Sequence, residues 1–326
     1  MKKISTTIHF IRTKEISRNV AYSWATFFEW SEESLLSKME INKLAMIESI
    51  ALLACPICGG EFVFKEPHSF VCPEQHGFDI AKPGYLHLLK QVHKTKYDQA
   101  LFESRKKVIA SGFFEKLIER MTNIINANTE KPALVLYDAG CGEGSHLARM
   151  VKELQAGGQS AQAVGLDIAK EGIKQAARDY PGIVWTVADL ANCPNQPETA
   201  DVILNILSPS NYEEFNRLLK KDGFLLKVVP EENYLRELRE FIYVDEKSSY
   251  SNESVTSRLA EKLTVEQMER VTYQSPIAKT LFADFLEMTP LGWHIDAEKK
   301  RDLLANPPQE LTVDLQIIIA RRAPLL

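Results

Sequence analysis

Residues 55–81 read CPICGGEFVFKEPHSFVCPEQHGFDIA. Cys55 and Cys58 share a C-P-x-C-G-G turn, and Cys72 and His76 share a second turn, C-P-E-Q-H. Four thiolate and imidazole ligands in two pairs fill a tetrahedral zinc shell and leave no open position. Such a metal holds a shape and does no chemistry; it replaces the core that a module of about forty residues lacks. The segment EFVFKEPHSF between the pairs supplies strand formers around a turn, so a hairpin is expected there. His68 reads as a surface residue of that hairpin. The competing readings are free thiols beside a surface histidine, and a redox C-x-x-C, although no thioredoxin-like pattern surrounds the pair.

A second cluster is the loop DAGCGEG, residues 138–144, between a buried strand pattern and a helix pattern. Gly140, Gly142 and Gly144 let the backbone turn sharply and approach a ligand. The spacing is G-x-G-x-G with Ser145 following, not the G-x-G-x-x-G of a dinucleotide site, and no G-K-[ST] of a phosphate loop is present. Asp138 at the strand end would repel phosphates and suits a cationic amine. Asp167 ends the next strand, where it can accept from both ribose hydroxyls. Asp189 ends the third, where it can bond an adenine amino group with Leu190 against the ring. Each acid alone is more often a helix cap than a ligand. Three at successive strand ends mark the sheet edge where open α/β folds bind ligands. Together they point to S-adenosylmethionine (SAM), with NAD as the alternative.

The acceptor is less defined. The fourth strand ends NILSP, without the N-P-P-Y type motif of exocyclic-amine methylases. Cys141 lies inside the glycine loop, and Cys193 has no obvious activating neighbour, so neither reads as a nucleophile. Oxygen, thiol or ring-nitrogen acceptors remain, reached by in-line displacement.

Around these positions, ALVLYDAG, AQAVGLDIA, IVWTVADL, ADVILNILSP and FLLKVVP read as strands, and SHLARMVKELQA, KEGIKQAARDY and NYEEFNRLLKKDG as helices. The alternation predicts an α/β fold with a parallel sheet covered on both faces. ELTVDLQIIIARR adds a last strand. The expected organisation is an extension over 1–45, with Met46 an alternative start, a zinc module over 46–92, a helical linker over 93–128 and the catalytic domain over 129–326. No apolar run is long enough to span a membrane. Five cysteines, two of them in C-x-x-C spacing, fit a reducing cytoplasm. The net charge of −5 argues against a whole-protein grip on nucleic acid and leaves room for a local one. Residues 82–107 supply that: Lys82, Lys90, Lys94, Lys96, Arg105, Lys106 and Lys107, interleaved with Tyr85, His87, His93 and Tyr97. Such a stripe can track phosphates while rings stack on bases, or be a solvated linker face.

The zinc cluster, the FDIAKPGYLHLL that follows it, DAGCGEG, the stretch NILSPSNYEEFNRLLKKDGFLLKVVP and LEMTPLGWH resemble the RlmA family of 23S rRNA (guanine-N1-)-methyltransferases. The likeness is to its Gram-positive RlmA(II) subclass, associated with macrolide and tylosin susceptibility or resistance, and covers about residues 50–326. The resemblance implies a Rossmann-like class I SAM-dependent methyltransferase sheet with an N-terminal zinc ribbon. It implies structural zinc on Cys55, Cys58, Cys72 and His76. It implies SAM at Gly142, Glu143, Gly144, Ser145 and His146, with Phe114 and Tyr234 beside it. Phe114 stands where relatives can carry Tyr, so a hydroxyl contact is lost there. Asn205 stands where the subclass tends to have Asp, and an Asn cannot be a general base. Asp189 and Asn205 are the acceptor-side candidates. The partner implied is 23S rRNA, in a homodimer with an RNA-sized cleft. A small-molecule methyltransferase with a zinc appendage and an inactive zinc-dependent RNA-binding protein are the alternatives.

Overall fold

The computed structural model describes residues 36–90, 97–243 and 252–323. Most of the expected extension, residues 1–35, and the stripe residues His93, Lys94 and Lys96 lie outside the described residues. Helix α1, Lys38–Glu48, crosses the expected boundary at 45/46. It is fastened to the main fold: the fully buried Asn42 donates through Nδ2 to Ala177 O at 2.8 Å and accepts from Gly182 N at 2.9 Å. Residues 38–45 therefore belong to the same folded unit as the rest.

The first three strands, β1 (Val63–Lys65), β2 (Ser69–Val71) and β3 (Gly77–Asp79), form an antiparallel sheet with Val63 opposite Val71 and Lys65 opposite Ser69. This is the expected hairpin plus one strand. Phe62, Phe64, Phe70 and Phe78 meet edge to face around it.

The remaining elements are β4 (Leu86–His87), α2 (Gln99–Ala110), α3 (Glu115–Asn128), β5 (Ala133–Ala139), α4 (Ser145–Ala156), β6 (Ser160–Asp167), α5 (Lys170–Asp179), β7 (Val184–Val187), β8 (Ala200–Ile206), α6 (Tyr212–Leu218), β9 (Leu219–Pro230), α7 (Arg236–Ile242), α8 (Glu253–Ala260), β10 (Leu263–Pro276), α9 (Phe282–Met288), α10 (Ala297–Ala305) and β11 (Glu310–Arg322). The large sheet has the order β10-β11-β9-β8-β5-β6-β7-β4. Strand order reverses between β5 and β8, the crevice where doubly wound sheets take ligands.

Three features differ from expectation. The sheet is mixed, because β11 runs antiparallel to both β9 and β10. Strand β10 had no clear sequence signal: it is an edge strand with exposed residues such as Met268, and a register shift between Val265 and Gln267 breaks its alternation. Finally, LKKDG does not end the helix before it. Leu219 to Gly223 begin β9, and a Cβ on Gly223 would stand 2.7 Å from Ala200 O, so this glycine serves strand packing.

Helices α3 and α4 bury apolar stripes, Leu117, Ile118, Met121 and Ile125 on one and Leu147, Met150 and Leu154 on the other, against one face of the sheet. On the opposite side, Phe62, Phe70 and Cys72 of the small sheet share an apolar cluster with Tyr137, Val164 and Val184. The ribbon is thus packed on the main domain, and β4 adds a parallel edge strand directly to β7, with Leu86 opposite Thr186.

Candidate zinc centre and cofactor pocket

Each ligand pair sits on a hydrogen-bonded turn. Gly59 N donates to Cys55 O at 2.8 Å and Cys55 N to Gly60 O at 2.9 Å; Gln75 N donates to Cys72 O at 2.9 Å. The turns aim four donors at one point. Cys58 Sγ and Cys72 Sγ are 3.5 Å apart, and His76 Nδ1 is 3.3 Å from Cys72 Sγ and 3.6 Å from Cys55 Sγ. A tetrahedron with zinc–sulfur bonds of 2.3 Å has edges of about 3.8 Å, and slightly less to nitrogen. All four atoms lie within 4.8 Å of one another. The donor set fits a closed structural zinc and leaves no position for substrate.

The first turn also holds the main domain. Ala54 N donates to Pro194 O at 2.9 Å, Gln196 N to Leu52 O at 3.0 Å and Asn192 Nδ2 to Pro56 O at 3.2 Å. The loop that follows Asp189 is thereby bonded to the zinc knuckle.

The glycine loop occupies the switch point. Gly140 has φ +87°, and a Cβ there would run into Ser208 Oγ. Gly142 has φ +59°, and its Cβ would stand 2.8 Å from Arg105 Nη1. Both positions favour glycine for conformation, and Gly140 for space as well; at Gly142 a side chain would displace the Arg105 guanidinium. Around the loop the structure gathers the expected acids. Asp138 is buried, and burial plus the charges of Asp167 and Glu143 push its carboxyl up to about 8. Glu143 is buried too and is pushed up to about 7, although Ser145 Oγ donates to it at 2.6 Å. Asp167, also raised by burial, accepts from Ala169 N at 2.7 Å and Gly142 N at 2.8 Å. Three carboxylates that repel one another favour a ligand with positive charge and oppose a pyrophosphate. The pocket fits SAM, whose sulfonium and ammonium are cationic.

His146 and Phe114 meet edge to face at 5.4 Å, and His146 Nε2 is buried without a partner. Burial and Arg105 pull the imidazole down to about 4, so it is neutral. Tyr234 is half-buried against the same core, and its phenol is raised by burial. Asp189 stands at the far end with Leu190; one of its oxygens accepts from Ala191 N at 2.8 Å. A cleft of about 460 Å³ opens beside it, lined by Asp189, Leu190, Pro209, Tyr212 and Arg258.

Asn205 does not face this cleft as a free group. Its Nδ2 donates to Ala139 O at 2.7 Å and Pro209 O at 3.0 Å. Its Oδ1 accepts from Ser210 Oγ at 2.8 Å and Lys227 Nζ at 2.5 Å. Both donors and both lone pairs are engaged, so Asn205 shapes the loop 205–210 and has nothing left for a substrate. Lys227, missed by the sequence reading, is buried among neutral oxygens and also donates to Ser208 O at 2.6 Å; burial pulls its ammonium down to about 8. Burial raises the Cys141 thiol and pushes Cys193 up to about 12, which disfavours a thiolate at either position.

Among the described residues of the basic stripe, Lys82 and Lys90 are exposed, but Arg105, Lys106 and Lys107 do not form one outward row. Lys106 pairs with Asp179 at 2.7 Å, Lys107 with Asp284 at 2.8 Å, and Arg105 turns to the glycine loop. Consecutive helical residues point about 100° apart, so they could not form one row. Tyr85 is buried, not available for stacking.

Among known sequences, the zinc-ribbon family described as RlmA, N-terminal matches residues 53–96, and a methyltransferase domain family matches residues 136–223. The Bacillus subtilis protein YxjB is 35% identical over 276 residues, which cover 83% of this chain and 98% of that one. The chain belongs to the RlmA family. A second member, named 23S rRNA (guanine(748)-N(1))-methyltransferase, from Streptomyces fradiae, is 27% identical over 84% of this chain and 98% of its own length. This RlmA-family chain is thus a class I SAM-dependent methyltransferase with a structural zinc ribbon. No helix among its described residues is long and apolar enough to cross a membrane.

Proposed function

We propose that this chain methylates N1 of a guanine in a 23S rRNA hairpin near the peptide exit tunnel, in the cytoplasm. The supporting observation is that relatedness to the Streptomyces fradiae enzyme runs through ribbon and catalytic domain alike, over 98% of that protein. SAM supplies an electrophilic methyl on its sulfonium. Asp138 and Glu143 face its amine, Asp167 its ribose, and Asp189 with Leu190 its adenine. His146, Phe114 and Tyr234 wall the pocket and keep water out. The loop 205–210, locked by Asn205 and Lys227, forms the acceptor wall. Its Leu207 holds a left-handed φ of +49° and is exposed, a strained apolar tip where an unpaired base would rest.

Guanine N1 lies on the Watson–Crick edge and carries a proton. The base must therefore be in a loop or flipped out, and the adjoining cleft has room for it. Asn205 cannot take the departing proton. The functional unit in this proposal is a homodimer, which light scattering of the purified chain tests.

Primer extension across the exit-tunnel hairpins tests the substrate. A methyl on N1 stops reverse transcriptase; the stop should vanish on deletion of the gene and return with it. Position 748, for which the Streptomyces relative is named, is the first place to look. An unchanged pattern would overturn the rRNA reading and leave a methyltransferase with another acceptor.

The acids give a pH signature. With carboxyls near 8 and 7, Asp138 and Glu143 are largely protonated at pH 6. A bound ammonium favours their ionised forms, so binding releases protons and is strengthened as pH rises. Affinity for S-adenosylhomocysteine should increase from about pH 6 to 8. Calorimetry in buffers of different ionisation enthalpy would register the released protons; a flat profile would remove the amine from beside these acids.

A further inference from the structure

Helix α2 carries four polar residues in succession past the cofactor pocket. Ser104 Oγ donates to Asp284 Oδ1 at 2.9 Å, Lys106 pairs with Asp179, and Lys107 pairs with Asp284. These bonds fasten α2 to α9 and α5. Arg105, in their midst, makes no ion pair among the described residues. Its guanidinium lies over the Phe102 ring, 5.7 Å from the centroid, and beside Gly142. Its charge acts on Glu143 and His146 of the glycine loop and the helix it opens, on Asp167 at the end of β6 and on Tyr234 after β9, three segments that surround one pocket.

SAM carries two cationic groups and one carboxylate. The acids of this pocket suit the cations and repel the carboxylate. A guanidinium offers a planar fork that holds a carboxylate through two parallel hydrogen bonds. We propose that Arg105 binds the carboxylate of the cofactor's methionine moiety, and that the ties at Ser104, Lys106 and Lys107 hold its fork in place before the cofactor arrives. The inference rests on the reading of this pocket as the SAM site. It gives the linker helix a part in cofactor binding.

The test uses the full-length, zinc-loaded chain, titrated with S-adenosylhomocysteine and with its decarboxylated analogue, which keeps the amine. Wild type should prefer the carboxylate form by roughly 10- to 100-fold, the range of a charge-assisted pair. Arg105→Ala and Arg105→Met should abolish that preference by weakening S-adenosylhomocysteine alone. Arg105→Lys should retain part of it. Equal binding of the two ligands by wild type, or equal weakening of both in the variants, would overturn the proposal. Wild type that binds neither ligand would overturn the pocket assignment with it. Selective binding without rRNA methylation would leave Arg105 standing and remove the rRNA substrate.

Discussion

Replacing Gly142 by Arg should abolish methylation, by at least about 1,000-fold, while zinc content and overall fold persist. The backbone there has φ +59°, a region that costs an L-residue roughly 1 kcal/mol. The larger effect is steric and electrostatic. A Cβ would sit 2.8 Å from Arg105 Nη1 and 3.5 Å from the Phe102 ring, and a second guanidinium would meet the first inside the cofactor pocket. Calorimetry with S-adenosylhomocysteine should show no binding, and metal analysis one zinc per chain. A variant that methylates at the normal rate would show that the cofactor lies elsewhere.

Cys72→Ser should lose zinc, unfold the ribbon and reduce RNA binding more than SAM binding. Cys72 is buried, 3.3 Å from His76 Nδ1 and 3.5 Å from Cys58 Sγ, and a serine hydroxyl is a poor substitute for a thiolate on zinc. Structural zinc contributes about 10–16 kcal/mol of apparent binding energy in small modules, far more than a ribbon of this size draws from its own apolar contacts. SAM binding should still fall several-fold, because the zinc knuckle is bonded to the loop after Asp189 through Ala54, Asn192 and Gln196. Metal analysis, calorimetry with S-adenosylhomocysteine and gel-shift with the rRNA hairpin separate the three effects. Unchanged RNA affinity in the zinc-free variant would remove the ribbon from recognition.

The features readable from sequence were those set by local spacing. Paired turn cysteines aim at one point whatever lies around them, and acids at successive strand ends of a doubly wound sheet must share an edge. Features set by tertiary contact were not readable. Asn205 looked like an acceptor-side group, but its four bonds involve Lys227, from the neighbouring strand, and Ala139, sixty-six positions earlier. Arg105, Lys106 and Lys107 looked like one cationic patch, but the helix sends them to three destinations, two fixed by Asp179 and Asp284. Strand β10 hid its period behind a half-exposed face and a bulge. The boundary at residue 46 followed the alternative start at Met46, while Asn42 ties the preceding turn of α1 into the fold through contacts about 140 positions away in sequence.

The short strand β4 has a consequence for solubility. It closes the edge of β7, whose Val184, Trp185, Thr186 and Val187 are all buried, and Leu88 N extends the closure by donating to Val187 O at 2.8 Å. A chain cut after the ribbon would bare this edge of three apolar residues and a threonine, and leave without partners the backbone groups at Thr186 and Val187 that β4 and Leu88 engage. That is a template for adding a strand from another molecule, and hence for aggregation. The ribbon segment thus also keeps the catalytic sheet from self-association, and a separately expressed methyltransferase half would need that edge rebuilt.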